Sequence, residues 1–382
     1  MNPQDMFCPQ GECPLRGQKA QGNLVIHSRK ERRYRCLCCG HTFVERKGTA
    51  FYRLHTDEAV VALVVTLLAH GCPLQAVVAA FGFDERTVAA WQGRAGKQSE
   101  QVHRARVRSG QVELEHVQAD ELWVKLVGRK VWMALALAVP SRLWLGGGIS
   151  GRRDGDLIRD LVDQVRRCAK HLGILVCVDG LASYVSAFCR AFKERVPTGQ
   201  RGGQPKRLPE SFLLGQVIKR ALHCRGVEVA HRAVIGSLAQ IEERVRATGG
   251  GQSLNTAYIE RLNATFRSCL VPLIRRGRCL ARKETTLHGG MYLVGTVYNF
   301  CCFHDSLRCL NPDPAGRKWR ERTPAMAAGL TDHRWSVPEL LQDRVAPRPW
   351  EPPKRRGRKP KEPQGIPWKL RPTRRVLCSS TV

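Results

Sequence analysis

Three consecutive stretches in the middle of the chain, HVQADELWVKLV from His116, KVWMALALAVP from Lys130 and RLWLGGGIS from Arg142, either alternate apolar and polar positions or run apolar between turn residues. That pattern predicts three successive strands. The period then changes. In DGDLIRDLVDQVRRCAKH the apolar residues Leu157, Ile158, Leu161, Val162 and Val165 return on one helical face, with Asp154 or Asp156 near the cap. GILVCVDG reads as a short buried strand and SYVSAFCRAFKER as the helix behind it, followed by a Gly- and Pro-containing loop over 196–210. FLLGQVIKRALHCRGVEVAH predicts a hairpin, and SLAQIEERVRATGGG and NTAYIERLNATFRSCL two further helices. Strands, a helix, another strand and more helices describe an α/β layered domain over residues 109–308.

Upstream the periodicity is helical. EAVVALVVTLLAHG follows Thr56 or Asp57 as a cap and stops at Gly71; PLQAVVAAFG has Pro73 in its first turn; DERTVAAWQGRAG is capped by Asp84. Three short helices with Gly82 in the intervening turn predict a helix-turn-helix over 51–108, with Arg86, Thr87, Gln92 and Arg94 as candidate DNA contacts. A plain helical linker bundle is the alternative. Residues 1–50 carry two cysteine knuckles, Cys8 with Cys13 and Cys36 with Cys39. Their spacing is similar to that of a zinc ribbon, in which four thiolates surround Zn²⁺ tetrahedrally and fold a segment too small to bury its own core. Cys38 and His41 are close enough to be alternative ligands, and ordinary buried cysteines are the plainer reading. Residues 309–382 read as a basic, Pro-rich tail; its run PPKRRGRKPKEP is similar to the AT-hook peptide that lays Arg-Gly-Arg into a minor groove.

Composition sharpens the choice of partner. The chain has 382 residues, 43% of them hydrophobic, which is ample for a core. Its 63 Lys and Arg outnumber 33 Asp and Glu, a net charge of +30, and such a surplus favours polyanions, nucleic acid ahead of an anionic membrane surface. The longest apolar run, 59–69, is shorter than the roughly 20 residues of a membrane span. With no signal pattern in MNPQDMFCPQ, a cytoplasmic, nucleoid-associated protein is expected. Sixteen cysteines then fit a reducing compartment; Cys168, Cys177 and Cys224, set among apolar neighbours, read as inert packing residues.

On this basic background three acidic residues stand at the ends or edges of apolar elements: Asp120 in HVQADELW, Asp179 in ILVCVDG and Glu260 in NTAYIERLN. Carboxylates are hard oxygen ligands suited to Mg²⁺ or Mn²⁺. A pair of such ions about 3.5–4 Å apart is a device for displacement at a phosphodiester. Alternation along a strand turns Asp120 and Glu121 to opposite faces, so one of them is expected to enter the site, Asp120, with Glu121 supporting it or facing outward. One and two helical turns beyond Glu260, Asn263 and Arg267 are candidate DNA-phosphate contacts, a solvated helix face being the alternative for Arg267.

DELW, VDG after an apolar strand, and NTAYIERLNATFR followed by Arg267, Arg275 and Arg276 resemble the DDE transposases of bacterial and archaeal insertion sequences. The likeness is to the group that joins a zinc ribbon and helix-turn-helix to an RNase H-like core. It extends as an ordered series of features over about 8–310, and TPAMAAGL near Pro324 is similar to the C-terminal region of such elements. The resemblance implies an RNase H-like, integrase-type catalytic core in which Asp120, Asp179 and Glu260 form the catalytic triad on the first strand, the fourth strand and the following helix. It also implies Mg²⁺-dependent cleavage and transfer of DNA strands at the element's terminal inverted repeats and a target, by a homo-oligomer on double-stranded DNA. The long interval between Asp179 and Glu260 departs from the shortest cores and implies an inserted segment. A metal-dependent nuclease of the same fold and a transposase-derived DNA-binding regulator without catalysis are the rival readings.

Overall fold

In the computed structural model of the protein, residues 1–196, 204–221, 227–274, 281–311 and 318–352 are described. Cys224, Arg275, Arg276 and the Arg-Gly-Arg of the AT-hook-like run lie outside them. Two compact units divide the chain, one of 1–42 with 346–382 and one of 43–345.

In the first unit, β1 (Leu24–Ser28) runs antiparallel to β2 (Arg33–Cys36); β3 (Thr42–Val44) falls at the boundary between the units. Phe7, Leu24 and Tyr34 are buried beside the cysteines, a core of very few side chains.

The second unit begins with α1 (Glu58–Ala69), α2 (Leu74–Phe81) and α3 (Glu85–Arg106). The first two match the expected helices, and their caps explain why: Asp57 accepts the Ala59 amide at 2.6 Å, while Gly82 ends α2 at φ +69°, a conformation that favours glycine. Asp84 caps α3 through the amides of Arg86 and Thr87, at 2.9 and 3.3 Å. This helix does not stop near Gly96 but continues to Arg106. Gly96 is a crossing point: a Cβ there would lie 2.6 Å from the backbone oxygen of Gly289 on α8 (Glu284–Cys301). The sequence pattern of α8 is apolar on every side, as suits a helix buried all round, so it carries little helical periodicity to read.

A six-stranded sheet follows, built from β4 (His116–Leu126), β5 (Arg129–Ala138), β6 (Leu143–Ser150), β7 (Leu175–Asp179), β10 (Leu213–Ala221) and β11 (Val227–Ile235). Between β7 and β10 the two-residue strands β8 (Glu194–Arg195), in the stretch expected to end the preceding helix, and β9 (Lys206–Arg207), in the expected loop, pair with each other. The order across the sheet is β11-β10-β7-β4-β5-β6. β4, β5 and β6 are antiparallel neighbours, β7 lies parallel to β4 and to β10, and β11 returns antiparallel. Alternation along the strands sorts them into two faces. Leu122, Val124, Val131 and Met133 pack with Ile259, Leu262 and Phe266 of α7 (Ala257–Cys269). On the opposite face Ala119, Ala134 and Ala136 pack with Leu157, Leu161 and Val165 of α4 (Gly155–Cys168) and with Phe188 of α5 (Ala182–Ala191). The helix α6 (Leu238–Ala247) sends Ile241 and Val245 against Leu175 and Cys177 of β7, where Cys177 is a buried thiol, as is Cys168 on α4.

The expected tail is not all tail. Up to Val345 it belongs to the second unit, with α9 (Pro324–Ala327) and α10 (Val337–Gln342) burying Ala325, Val337, Leu340 and Leu341. A few apolar residues suffice to dock a segment on a core that already exists, and the Pro and Lys/Arg content of the stretch masks them. Among the described residues, no helix is long and apolar enough to cross a membrane.

Candidate metal centres

Among the described residues two groups of side chains could hold a metal ion, one in each unit. In the first unit the sulfurs of Cys8, Cys13, Cys36 and Cys39 converge, with Cys8 and Cys39 3.6 Å apart and Cys13 and Cys36 3.9 Å apart. A tetrahedral ion with metal–sulfur bonds of about 2.3 Å separates its sulfurs by about 3.8 Å, so the donor set fits Zn²⁺ without rearrangement. The exposed Cys38 is not part of the group. Burial raises the Cys36 thiol, but the amides of Cys39 and Cys38 and the side chain of Asn23, whose nitrogen is 3.3 Å from the sulfur, outweigh it and bring it down to about 7. The Cys39-Gly40 step after the knuckle forms a tight turn, with Gly40 at φ +70° and its amide on the Cys36 carbonyl at 2.8 Å.

In the second unit Ala119 of β4 pairs with Val178 of β7, so the next residues along the two parallel strands, Asp120 and Asp179, are neighbours on one face. A cavity of about 420 Å³ opens there, lined by Asp120, Asp179 and, from α7, Glu260. All three residues expected at the site therefore face one space. Their separation is uneven: ligand oxygens of Asp120, Asp179 and Glu121 lie within 4.8 Å of one another, and Glu260 is outside that group.

Glu121 is the correction. Its backbone does point to the other face, where its carboxylate accepts the Tyr184 hydroxyl of α5 at 2.7 Å. Yet β7 ends at Asp179 while β4 runs on, and past that end the carboxylates on the two faces of β4 are not screened from each other by a neighbouring strand. Arg153, from the turn before α4, exploits the gap by pairing with both Glu121 and Asp179.

Several hydrogen bonds set the geometry. Asp179 accepts the Leu181 amide at 3.0 Å. Asn263, expected at a DNA phosphate, is buried instead and donates to Asp120 at 2.8 Å. Gln118, two residues before Asp120, accepts the amides of Tyr258 and Ile259 at 3.1 and 3.0 Å and donates to the Asn255 carbonyl at 2.9 Å. The N-cap residue Thr256 has no side-chain capping bond to the helix amides; Asn255 accepts the Ala257 amide at 3.1 Å, and the next two amides are capped from the strand that carries Asp120. One side chain thus couples the strand of the first carboxylate to the helix of the third.

Electrostatics separates the three acids. Burial, together with the charges of Glu121, Asp179 and Glu260, pushes the Asp120 carboxyl up to about 7. Glu260 moves the other way: its burial is outweighed by bonds from Lys219 of β10 and from Thr256, 3.0 Å away, which hold its carboxyl below the usual range. Asp120, Asp179 and Glu121, within reach of one another and of Arg153, are an arrangement that a divalent ion fits, each carboxylate being a hard oxygen donor.

Of the expected DNA contacts on α3, Arg86 and Arg94 are exposed and Thr87 and Gln92 half-buried, and Arg94 already donates to the Tyr52 carbonyl at 2.7 Å. Arg267 is half-buried on α7. Arg153, Lys219, Tyr184 and Gln118 were missed from the sequence, because nothing local marks an arginine in a turn or a lysine on a strand as a partner of a distant carboxylate. No protein-family model matches the chain, and no curated protein matches it.

Proposed function

We propose that the protein is a DDE-type transposase whose RNase H-like core cleaves and joins DNA strands at the ends of its own element. The observation that carries this reading is the register of Asp120 and Asp179 on adjacent parallel strands, with Glu260 on the same cavity. In chain order these strands are the first and fourth of the sheet, and the third acid comes from a later helix, the pattern the resemblance implies. Mg²⁺ or Mn²⁺ held by Asp120 and Asp179, with Glu121 or Glu260, would lower the pKa of an attacking hydroxyl and offset the charge gathering on the phosphate.

The chain's own groups do the rest. Asn263 and the Leu181 amide hold the two aspartates in fixed orientation, so little reorganisation is needed when charge develops. Arg153 and Lys219 on the cavity wall are cations that a phosphate backbone can draw away from their carboxylate partners. The exposed arginines of α3 support duplex recognition by a helix-turn-helix, and the four-cysteine group supports a structural zinc ribbon. Holding two element ends for joining calls for more than one copy of the chain.

The test uses oligonucleotides carrying the flanking inverted repeats, with Mg²⁺ or with EDTA, and scores cleaved and joined strands. Wild type is expected to cleave and join only with the ion, and Asp179→Asn to lose both while binding the ends nearly as well. Mg²⁺-dependent cleavage by Asp179→Asn refutes the assignment. Cleavage by wild type with no joined product would identify a nuclease, and end binding with neither product a regulator.

A further inference from the structure

The hairpin of β4 and β5 runs beyond the helices that cover one of its faces. Packing against α4 and α5 accounts for Ala119 and Ala134; further out on the same face Trp132 is half-buried at the edge of that core and Trp123 is 56% exposed. These two residues are cross-strand partners. The ammonium of Lys130 lies 4.8 Å from the centroid of one indole and 4.7 Å from the other, and the Arg153 guanidinium lies 5.2 Å from the Trp132 ring. Lys130 is itself directly opposite Lys125, a like-charged pair that works against the hairpin's stability. The strip is continuous with the acidic cavity, since Arg153 is also the residue that pairs with Glu121 and Asp179.

An exposed indole and opposed lysines are poor choices for a hairpin that only has to fold. They match what an unpaired nucleotide strand requires: flat aromatic faces for its bases and cations beside them for its phosphates. We propose that Trp123 and Trp132, with Lys125, Lys130 and Arg153, form a stacking platform that receives unpaired nucleotides next to the acidic cavity. Duplex DNA presents no free base faces and gains only the charge of the lysines. An acidic peptide likewise gains the charge and not the rings. The choice of a nucleic-acid partner rests on the proposed function, while the test requires no catalysis.

Anisotropy titrations of the zinc-loaded full-length protein in Mg²⁺-free buffer with labelled oligothymidylate, and with a duplex of the same length, read the platform directly. Trp123→Ala is expected to weaken single-strand binding about tenfold and duplex binding less than about twofold, with Trp123→Phe close to wild type. Since Trp123 lies mostly in solvent, an unchanged melting temperature separates this loss from misfolding. The platform is refuted if Trp123→Ala leaves oligothymidylate binding unchanged, if it weakens strand and duplex equally, or if oligoglutamate of matching charge binds with the same dependence on Trp123. A ring-dependent preference for single strands in a protein that cleaves nothing would leave the platform standing and remove the transposase reading; cleavage and joining without that preference would do the reverse.

Discussion

Replacing Asp120 by asparagine is expected to stabilise the metal-free protein, and only above a definite pH. The native Asp120 carboxyl keeps its proton to about pH 7, against a reference value of 3.8, because it is buried beside Glu121, Asp179 and Glu260. A native state that binds this proton more tightly than the unfolded chain is favoured at low pH. The advantage is complete below pH 3.8 and is lost as pH rises through 7. Asparagine is neutral, like the protonated acid, and can still accept the bond from Asn263, so Asp120→Asn keeps the advantage at every pH. A displacement of three units at about 1.36 kcal/mol each sets a ceiling of about 4 kcal/mol. The new amide nitrogen needs a partner of its own, which brings the expected gain to about 2–3 kcal/mol. The assay is urea denaturation in Mg²⁺-free buffer at pH 4.0, 6.0 and 8.0 with paired wild-type and variant curves. The variant is expected to be about 1 kcal/mol less stable at the lowest pH, where only the unpaired amide counts, and to have the higher midpoint at the highest, an order that saturating Mg²⁺ should reverse at pH 8.0 by stabilising wild type alone. A variant less stable than wild type at pH 8.0, or a gain independent of pH, refutes the account of Asp120 as a carboxylate destabilised by its neighbours.

The remaining predictions concern parts that hold the centres in place. Cys39→Ser should reduce bound zinc, measured by mass spectrometry on purified protein, and unfold the first unit, because metal ligation supplies about 10–16 kcal/mol in sites of this kind; full zinc occupancy in the variant would exclude Cys39 as a ligand. Gln118→Leu removes the cap shared between β4 and α7 and should cost about 2–3 kcal/mol in denaturant midpoint while lowering cleavage more than end binding, and a change in neither would show that α7 is positioned otherwise. Gly96→Ala sets a methyl group 2.6 Å from the Gly289 carbonyl and should cost at least about 2 kcal/mol, read as a fall in melting temperature; an unchanged melting temperature would mean that α3 and α8 can separate without penalty.

Local periodicity determined most elements of the α/β unit before any coordinates, since strand alternation, helical spacing and capping residues act over a few neighbours. It offered Asp57 beside Thr56, Asp84, and Asp154 beside Asp156 as caps, and the bounds of β4 to β7 to within about two residues, while spacing marked the four cysteines that converge. Asp120, Asp179 and Glu260 could be nominated for the same reason, each lying on a strand or helix that was readable in isolation. What each acid would face was decided only when β7 paired with β4 in one register and α7 docked on the opposite face from α4. That register sets Asp120 beside Asp179, brings Glu121 within reach from the other side, and delivers Arg153 and Lys219 as counter-charges from segments distant in the chain. The same long-range packing carried α3 past Gly96, made that glycine a crossing point and drew described residues up to Val345 into the second unit. Such outcomes depend on which surfaces meet, and a pattern of neighbouring residues carries no record of surfaces that join across a hundred residues or more.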